Sequence, residues 1–198
     1  MNGELKTGVI ILAAGLGRRM GGGKLLAPLG NKPVIAHVAD AVQEAGLEAI
    51  VVTGHDAEGV RNALSGRGLT FIHAEDYAEG QAHSVSAGIR AVPDYWQAAI
   101  MALGDMPLIQ SKLLRTMADR ARSNAILIPR HEGRRGNPVL WGRDWFPALS
   151  HLTGDTGARQ LFAQAGESLA FLDWPDDTIL CDADTPEQLE ALRKRIGA

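Results

Sequence analysis

Val9-Ile10-Ile11-Leu12-Ala13-Ala14-Gly15-Leu16-Gly17-Arg18-Arg19-Met20-Gly21-Gly22-Gly23-Lys24 decides how the rest of the chain is read. The first six residues are an unbroken apolar run, β-branched at its start. That is the pattern of a strand covered on both faces, as in a parallel sheet. The remainder is a loop with five glycines between Gly15 and Gly23, flanked by the cations Arg18, Arg19 and Lys24. Glycines let the backbone approach a ligand and turn its N–H groups inward as an anion cradle. Guanidinium and ammonium groups add donors suited to phosphate oxygens. A loop of this composition directly after a buried strand reads as a binding loop more readily than as solvated surface.

Moving outward, a helix is expected from Pro33 to Ala45, with Val34, His37, Val38, Ala41 and Val42 on one face and Gly46 as its left-handed stop. Ala49–Thr53 repeats the buried-strand pattern. Asp56 is placed to cap a short helix ending near Leu64. Leu69–Ile72 reads as a third strand, Gln81–Ala91 as a helix after Gly80, and Ala98–Leu103 as a fourth strand ending in Gly104-Asp105-Met106-Pro107. A helix from Ser111, its expected cap, to Arg122 leads to a strand at Ala125–Ile128 broken by Pro129. His131–Gly136 is polar and turn-like, and Pro138–Trp141 resumes an extended pattern, so the two form a hairpin. Helices near Trp145–Leu149 and Ala158–Ala165 precede strands near Leu169–Leu172 and Thr178–Leu180. In the last helix Thr185 is the cap, Pro186 holds the first position and Gln188 completes a capping box.

Strands alternate with helices through the first two thirds, which predicts an open, mostly parallel α/β sheet with right-handed crossovers. A chain of 198 residues without a linker or repeat is read as one domain, residues 1–198 with a core at 8–197. In such sheets ligands bind at the carboxyl ends of the strands. Both the glycine loop and Gly104-Asp105 stand there.

A net charge of −3 provides no general field for nucleic acid or an anionic membrane, so an anionic ligand needs a local basic pocket. The four tryptophans are scattered and not interleaved with basic residues, which makes no nucleic-acid platform. The apolar run at Val9–Ala14 is too short for a signal peptide, and no stretch is long enough to span a membrane. With the one cysteine, Cys181, read as an inert core thiol in an apolar strand, the expected location is the cytoplasm. The six histidines form no pair at metal-ligand spacing; His37 reads as packing, and His83 lies within reach of a ligand near Gly80. No serine sits in a nucleophile elbow and Cys181 has no evident histidine partner.

Two common phosphate loops are excluded. The P-loop needs Gly-Lys-Ser/Thr, but Leu25 follows Lys24 and Arg18 holds the earlier glycine position. The dinucleotide fingerprint needs a third glycine where Met20 stands, and a helix opening that Gly21-Gly22-Gly23 prevents. Leu-Ala-Ala-Gly-x-Gly-x-Arg-Met-Gly-x-x-Lys instead resembles the signature of the MobA-like NTP transferases, and most of all the molybdenum cofactor cytidylyltransferases of the MocA type. Leu25–Val34, Gly80-Gln81-Ala82-His83-Ser84-Val85, Gly104–Pro107, Gly136-Asn137-Pro138-Val139-Leu140, Gly154-Asp155-Thr156-Gly157-Ala158-Arg159 and Asp182-Ala183-Asp184-Thr185-Pro186 continue the resemblance in order along the chain.

The resemblance implies a three-layer, Rossmann-like α/β fold of the nucleotide-diphospho-sugar transferase (GT-A-like) kind, with helices on both faces of a mostly parallel sheet. It implies transfer of a nucleoside monophosphate, CMP from CTP, to the phosphate of molybdopterin, with release of pyrophosphate. Guanylyl transfer from GTP, transfer to another phosphorylated metabolite, and a non-catalytic nucleotide-binding accessory role beside a molybdoenzyme are the alternatives. A passing contact with a molybdoenzyme or its chaperone goes with the family. Nucleotide contacts fall on Leu12, Ala13, Ala14, Gly15, Gly17, Arg18, Arg19, Lys24, Gly80, Gln81, Ser84 and Asp105. Arg19, Lys24 and Asp105 are the catalytic set, and Asn137, Asp155 and Arg159 face the acceptor.

The resemblance also makes Asp105 a ligand of Mg²⁺ or Mn²⁺, although Gly-Asp-x-Pro is good turn chemistry by itself. One of Asp182 and Asp184, with Asp182 preferred, joins Asp105 on the metal if the chain returns to the same sheet edge; otherwise both serve the dipole of the last helix. Arg130, Arg134 and Arg135 surround a turn that either receives an anionic acceptor or is a solvated hairpin tip.

Overall fold

Val9, Ile10 and Ile11 have no exposed surface, as a strand covered on both faces requires. They lie in β1 (Thr7–Ala13) at the middle of the sheet in the computed structural model, which describes residues 5–17, 22–154 and 157–197. The chain continues through a short β2 (Pro28–Leu29) and β3 (Lys32–Pro33) hairpin, α1 (Val34–Glu44), β4 (Ala49–Thr53), α2 (Ala57–Ala63), β5 (Thr70–His73), α3 (Gln81–Arg90) and β6 (Ala98–Leu103). It ends with α4 (Ser111–Asp119), β7 (Ile126–His131), β8 (Arg134–Arg135), β9 (Val139–Gly142), α5 (Phe146–Ser150), β10 (Leu169–Asp173) and α6 (Pro186–Ile196).

The sheet order is β10-β7-β9-β6-β1-β4-β5, with β8 paired to β7. Every neighbouring pair along that path is parallel except those made by β9, which runs antiparallel to both β6 and β7. Alternate residues of β1 divide the core: Val9, Ile11 and Ala13 pack with Ile35, Val38, Leu113 and Met117 of α1 and α4, while Ile10 packs with Ala82, Val85 and Ile89 of α3. Two helical layers therefore sandwich the sheet. The helix α3 packs tightly on the sheet at Gly88, where a Cβ would stand 2.7 Å from Ile10 and 2.9 Å from Val52. Among the described residues no helix is long and apolar enough to cross a membrane.

Several sequence expectations are corrected. Pro129 does not break its strand: β7 runs on to His131, and its ladder with β9 has already ended at Leu127. The hairpin turn at Glu132 and Gly133 has φ of 49° and 78°, the two left-handed residues that a tight turn between strands demands. Residues 177–180 form a 3-10 turn and not a strand, because Asp176 accepts bonds from the backbone N–H and hydroxyl of Thr178, a local alternative to a sheet ladder. Cys181 follows that turn, half-buried, donating to the Asp177 carbonyl at 3.3 Å and accepting from Arg195 at 3.0 Å. Gly157–Gln164 is a run of 3-10 turn where an α-helix was expected. Ser111 lies inside α4, with Gln110 at the cap position, and Asp56 precedes α2 without a side-chain cap bond. The capping box of Thr185 and Gln188 is formed, and Gly46 has φ of 73°.

The start of the sheet is pinned by Glu48. Its carboxylate accepts from Tyr95 at 2.7 Å and from the Trp96 indole at 3.0 Å, and pairs with Lys6 at 2.9 Å. Bonds from Tyr95, Lys6 and Trp96 hold its carboxyl at a pKa of about 2, below the ordinary 4.5. A depressed carboxyl stabilises the folded state above its unfolded pKa and loses that contribution as pH falls through the folded value. Glu48→Gln should therefore be less stable than the unaltered protein at about pH 6, with the gap closing between about pH 4.5 and 2. Urea midpoints across that range measure it; a gap independent of pH would show that ionisation of Glu48 contributes nothing.

Candidate active site

The register Leu12↔Leu103 aligns the ends of β1 and β6, and Gly104 donates to the Leu12 carbonyl at 3.0 Å. Ala13 and Ala14 thus lie beside Gly104-Asp105, with β4 on the other flank. This is the point where the chain order reverses, β4 and β5 on one side and β6 on the other, which is where open α/β sheets bind ligands. Ala13 and Ala14 are buried and Gly15 is exposed. Gly17 takes φ of 58°, and Gly22 donates back to its carbonyl at 3.1 Å, so the glycine loop closes on itself. Arg18 and Arg19 lie outside the described residues.

Lys24 joins the loop to the acidic end of the sheet. Its ammonium donates to Asp105 Oδ2 and to Asp184 Oδ1, each at 2.5 Å. Burial disfavours the charge on Lys24, but Asp105 and Asp184 outweigh it and hold the ammonium pKa above its ordinary value. The other oxygen of Asp105, Oδ1, is buried and has no hydrogen-bond partner among the described residues. The segment carrying Asp182 and Asp184 is tied to this place by the Ala183 N–H, which donates to the Asp105 carbonyl at 2.9 Å. Asp182 accepts from Gln188 at 2.6 Å. Burial, then Asp184 and Asp105, raise its carboxyl pKa. Asp184, not Asp182, shares Lys24 with Asp105.

The fit to a divalent cation follows from these donors. Mg²⁺ and Mn²⁺ take hard oxygen ligands, and Mg²⁺ needs only one or two carboxylates when water and phosphate complete its shell. Asp105, with an unpartnered oxygen, and Asp184 beside it supply that number. Among the described residues no group of three His, Cys, Asp or Glu side chains is arranged to hold a metal ion by itself, so Asp105, Asp182 and Asp184 do not form a three-ligand cage.

Gly80 precedes α3 with φ of 129°, and Gln81 opens the helix. Ser84, in the first turns of α3, is buried at 5% exposure. His83 lies 3.7 Å from Glu79, and His37 is bonded to the Leu29 carbonyl at 2.8 Å as a packed side chain. The N-terminal turn of α3 is joined to the second glycine segment: Ala82 donates to the Gly154 carbonyl at 3.2 Å. Gly157, at φ of 57°, leaves room for the Gln81 carboxamide, 2.9 Å from where its Cβ would stand. Asp155 lies outside the described residues, and Arg159 is exposed.

Asn137 is half-buried in a cis bond to Pro138, its N–H bonded to the Ile179 carbonyl at 2.9 Å. Arg130 pairs with Asp173 at 2.5 Å, and Arg130 and Arg135 both lie over the Phe171 ring, while Arg134 is exposed. The first two are thus engaged with the sheet edge.

Sequence reading missed two supports. Gln188 holds Asp182; the capping box was legible, but not that the same side chain reaches a second carboxylate. Gly54 at the end of β4 leaves space for Tyr77 and Ala14, since a Cβ there would lie 2.6 and 2.7 Å from them. A cavity of about 1440 Å³ opens at the other end of the sheet among Lys6, Glu48, Arg115, Asp119 and Glu167. The site is assigned instead to the strand ends, where Lys24, Asp105 and Asp184 meet.

The family model described as MobA-like NTP transferase domain matches residues 9–169. The bifunctional protein GlmU of Desulfotalea psychrophila is 34% identical over 148 residues, covering 72% of this chain and 43% of that protein. The chain spans less than half the length of the curated relatives it matches. Rv0371c of Mycobacterium tuberculosis H37Rv superposes with a TM-score of 0.88 at 26% identity over 96% of this chain and 98% of that one. A structure of that protein in complex with manganese gives 0.84 at 25% identity, covering 96% of this chain and 98% of that one. A CMP:2-keto-3-deoxy-manno-octonic acid synthetase complexed with CTP shares the fold, with a TM-score of 0.76 at 20% identity and coverage of 97% and 98%.

Proposed function

The chain belongs to the MobA-like NTP transferase family, and on that footing we propose that it transfers CMP from CTP to the phosphate of molybdopterin, releasing pyrophosphate, in the cytoplasm. The observation that carries the reading is the meeting of Lys24, Asp105 and Asp184 beside a glycine loop at the carboxyl ends of β1 and β6.

The triphosphate lies along residues 12–17, where backbone N–H groups of Gly15 and Gly17 turn toward it, with Lys24 and the proposed Arg18 and Arg19 as its cations. Gly80, Gln81 and the first turn of α3 border the nucleoside, and Asn137, Asp155 and Arg159 border the acceptor. An oxygen of the acceptor phosphate attacks the α-phosphorus. The bond from that phosphorus to the oxygen bridging it to the β-phosphorus breaks, and the electron pair leaves with pyrophosphate. Such chemistry needs positioning and charge stabilisation and no protein nucleophile. Asp105 and Asp184, with Asp182 beside them, would hold Mg²⁺ or Mn²⁺, whose contribution when bound is neutralisation of the phosphate oxygens.

Pyrophosphate release from CTP, GTP, ATP and UTP, each with Mg²⁺ and molybdopterin or its metal-loaded form, tests the proposal. Turnover with CTP above the others is expected. Preference for GTP moves the protein to guanylyl transfer, and turnover only with another phosphorylated metabolite replaces the acceptor. Nucleotide binding without any turnover makes it an accessory protein for a molybdoenzyme.

A further inference from the structure

Two carboxylates that both approach one point within 2.5 Å cannot stand there ionised without a cation between them. Among the described residues the Lys24 ammonium is a cation that stands there. The ammonium occupies Asp105 Oδ2 and Asp184 Oδ1, and a divalent ion held by both of those oxygens could not share them with it. We propose, resting on the nucleotidyltransferase reading, that Lys24 is an exchangeable counter-ion: it holds Asp105 and Asp184 together in the empty protein, gives up that place to the divalent cation, and then pairs with the phosphates.

The local build suits an exchange. Lys24 carries a flexible four-carbon stem, and a lysine ammonium is a point charge that re-pairs without a fixed fork geometry. The stem passes under the glycine loop, its Cγ 3.6 Å from where a Gly17 Cβ would stand. The two residues before it, Gly22 and Gly23, have φ of 94° and 68°, a left-handed backbone that glycine adopts freely. The ammonium thus sits between the phosphate loop on one side and the carboxylates on the other. Among the described residues Asp105 Oδ1 has no hydrogen-bond partner while Lys24 occupies Oδ2, so the lysine engages only one of the two carboxylate oxygens.

The arrangement has a consequence for selectivity. While Lys24 is bonded to both carboxylates it is withheld from a bare triphosphate. Metal entry frees it, so the positive charge reaches the phosphates only when the metal is present. Metal and nucleotide then bind cooperatively through one side chain.

The test is Mn²⁺ binding to the nucleotide-free protein, followed by the electron paramagnetic resonance of free Mn²⁺. Lys24→Met keeps the stem and removes the competing charge. It is expected to bind Mn²⁺ about tenfold or more tightly than the unaltered protein, because the ion no longer has to displace a paired unit charge from the two carboxylates. Equal or weaker Mn²⁺ binding by Lys24→Met overturns the proposal. A second measurement needs no variant: acetic anhydride labelling of Lys24, read by peptide mass. Labelling should quicken with Mg²⁺ alone and slow again when CTP is added as well. A Lys24 labelling rate unmoved by Mg²⁺ overturns the proposal equally. Failure of the parent reading looks different: the unaltered protein would show no metal-dependent affinity for any nucleoside triphosphate, whatever the metal-only comparison gives.

Discussion

Asp105→Asn should lower turnover about 10²-fold or more, the usual loss when one preorganised charge contact is removed from a reacting centre. The substitution keeps the shape of the side chain and deletes only its charge, so packing is left nearly intact. Asp105 is the residue through which the elements of the site meet. Its side chain is 14% exposed, one oxygen takes Lys24, and the other is buried with no hydrogen-bond partner among the described residues. Its carbonyl accepts Ala183 and so fixes where Asp184 arrives. Because the backbone bonds persist in the variant, a folded protein with lost chemistry is expected. Pyrophosphate release with CTP and Mg²⁺, beside a thermal melt, measures it. Near-normal turnover in a folded Asp105→Asn protein would remove this carboxylate from the reacting centre.

Trp96→Ala should destabilise the fold by about 3–5 kcal/mol, the cost of emptying a buried aromatic site, and lower Tm by roughly 6 °C or more for a chain of this size. Trp96 is 1% exposed and its ring lies flush against β1: a Cβ on Gly8 would stand 2.0 Å from the indole. The indole N–H is also bonded to Glu48. Gly8 and Trp96 are thus complementary, and the effects of changing them should not add. Gly8→Ala is expected to be strongly destabilising alone and much milder in the Trp96→Ala background, with a coupling of about 1 kcal/mol or more. Denaturant unfolding of the four proteins of this cycle measures it. Additive losses would mean that the ring does not fill the space that glycine leaves.

The sheet was legible because buried strands carry a pattern that local sequence alone displays. Val9–Ala14, Ala49–Thr53 and Ala98–Leu103 are apolar on both faces, and each became a strand within one residue or two of its expected limits. The glycine loop and the capping box of Thr185 were legible for the same reason, since φ preferences and cap bonds are satisfied within a few residues. Reading failed where a local side-chain bond competed with the ladder, as at Asp176 and Thr178, and where a proline lay past the end of one ladder but within another, as at Pro129, beyond the β9 pairing and opposite Leu172 of β10.

What the amino-acid sequence determined by itself is the alternation of buried strands and helices, the phosphate-type loop after the first strand, and the acidic residues at the ends of their segments. Which of those acids stand together was decided only in three dimensions. Lys24 meets Asp105 across 81 residues and Asp184 across 160. Nothing in local sequence sets such distances. They follow from the order in which strands pair, from the Gly104 bond to Leu12, and from the Ala183 bond to Asp105 that brings the last helix back to the sheet. Asp182 and Asp184 are two residues apart and chemically alike, and only the register of that returning segment gives one of them to Lys24 and the other to Gln188.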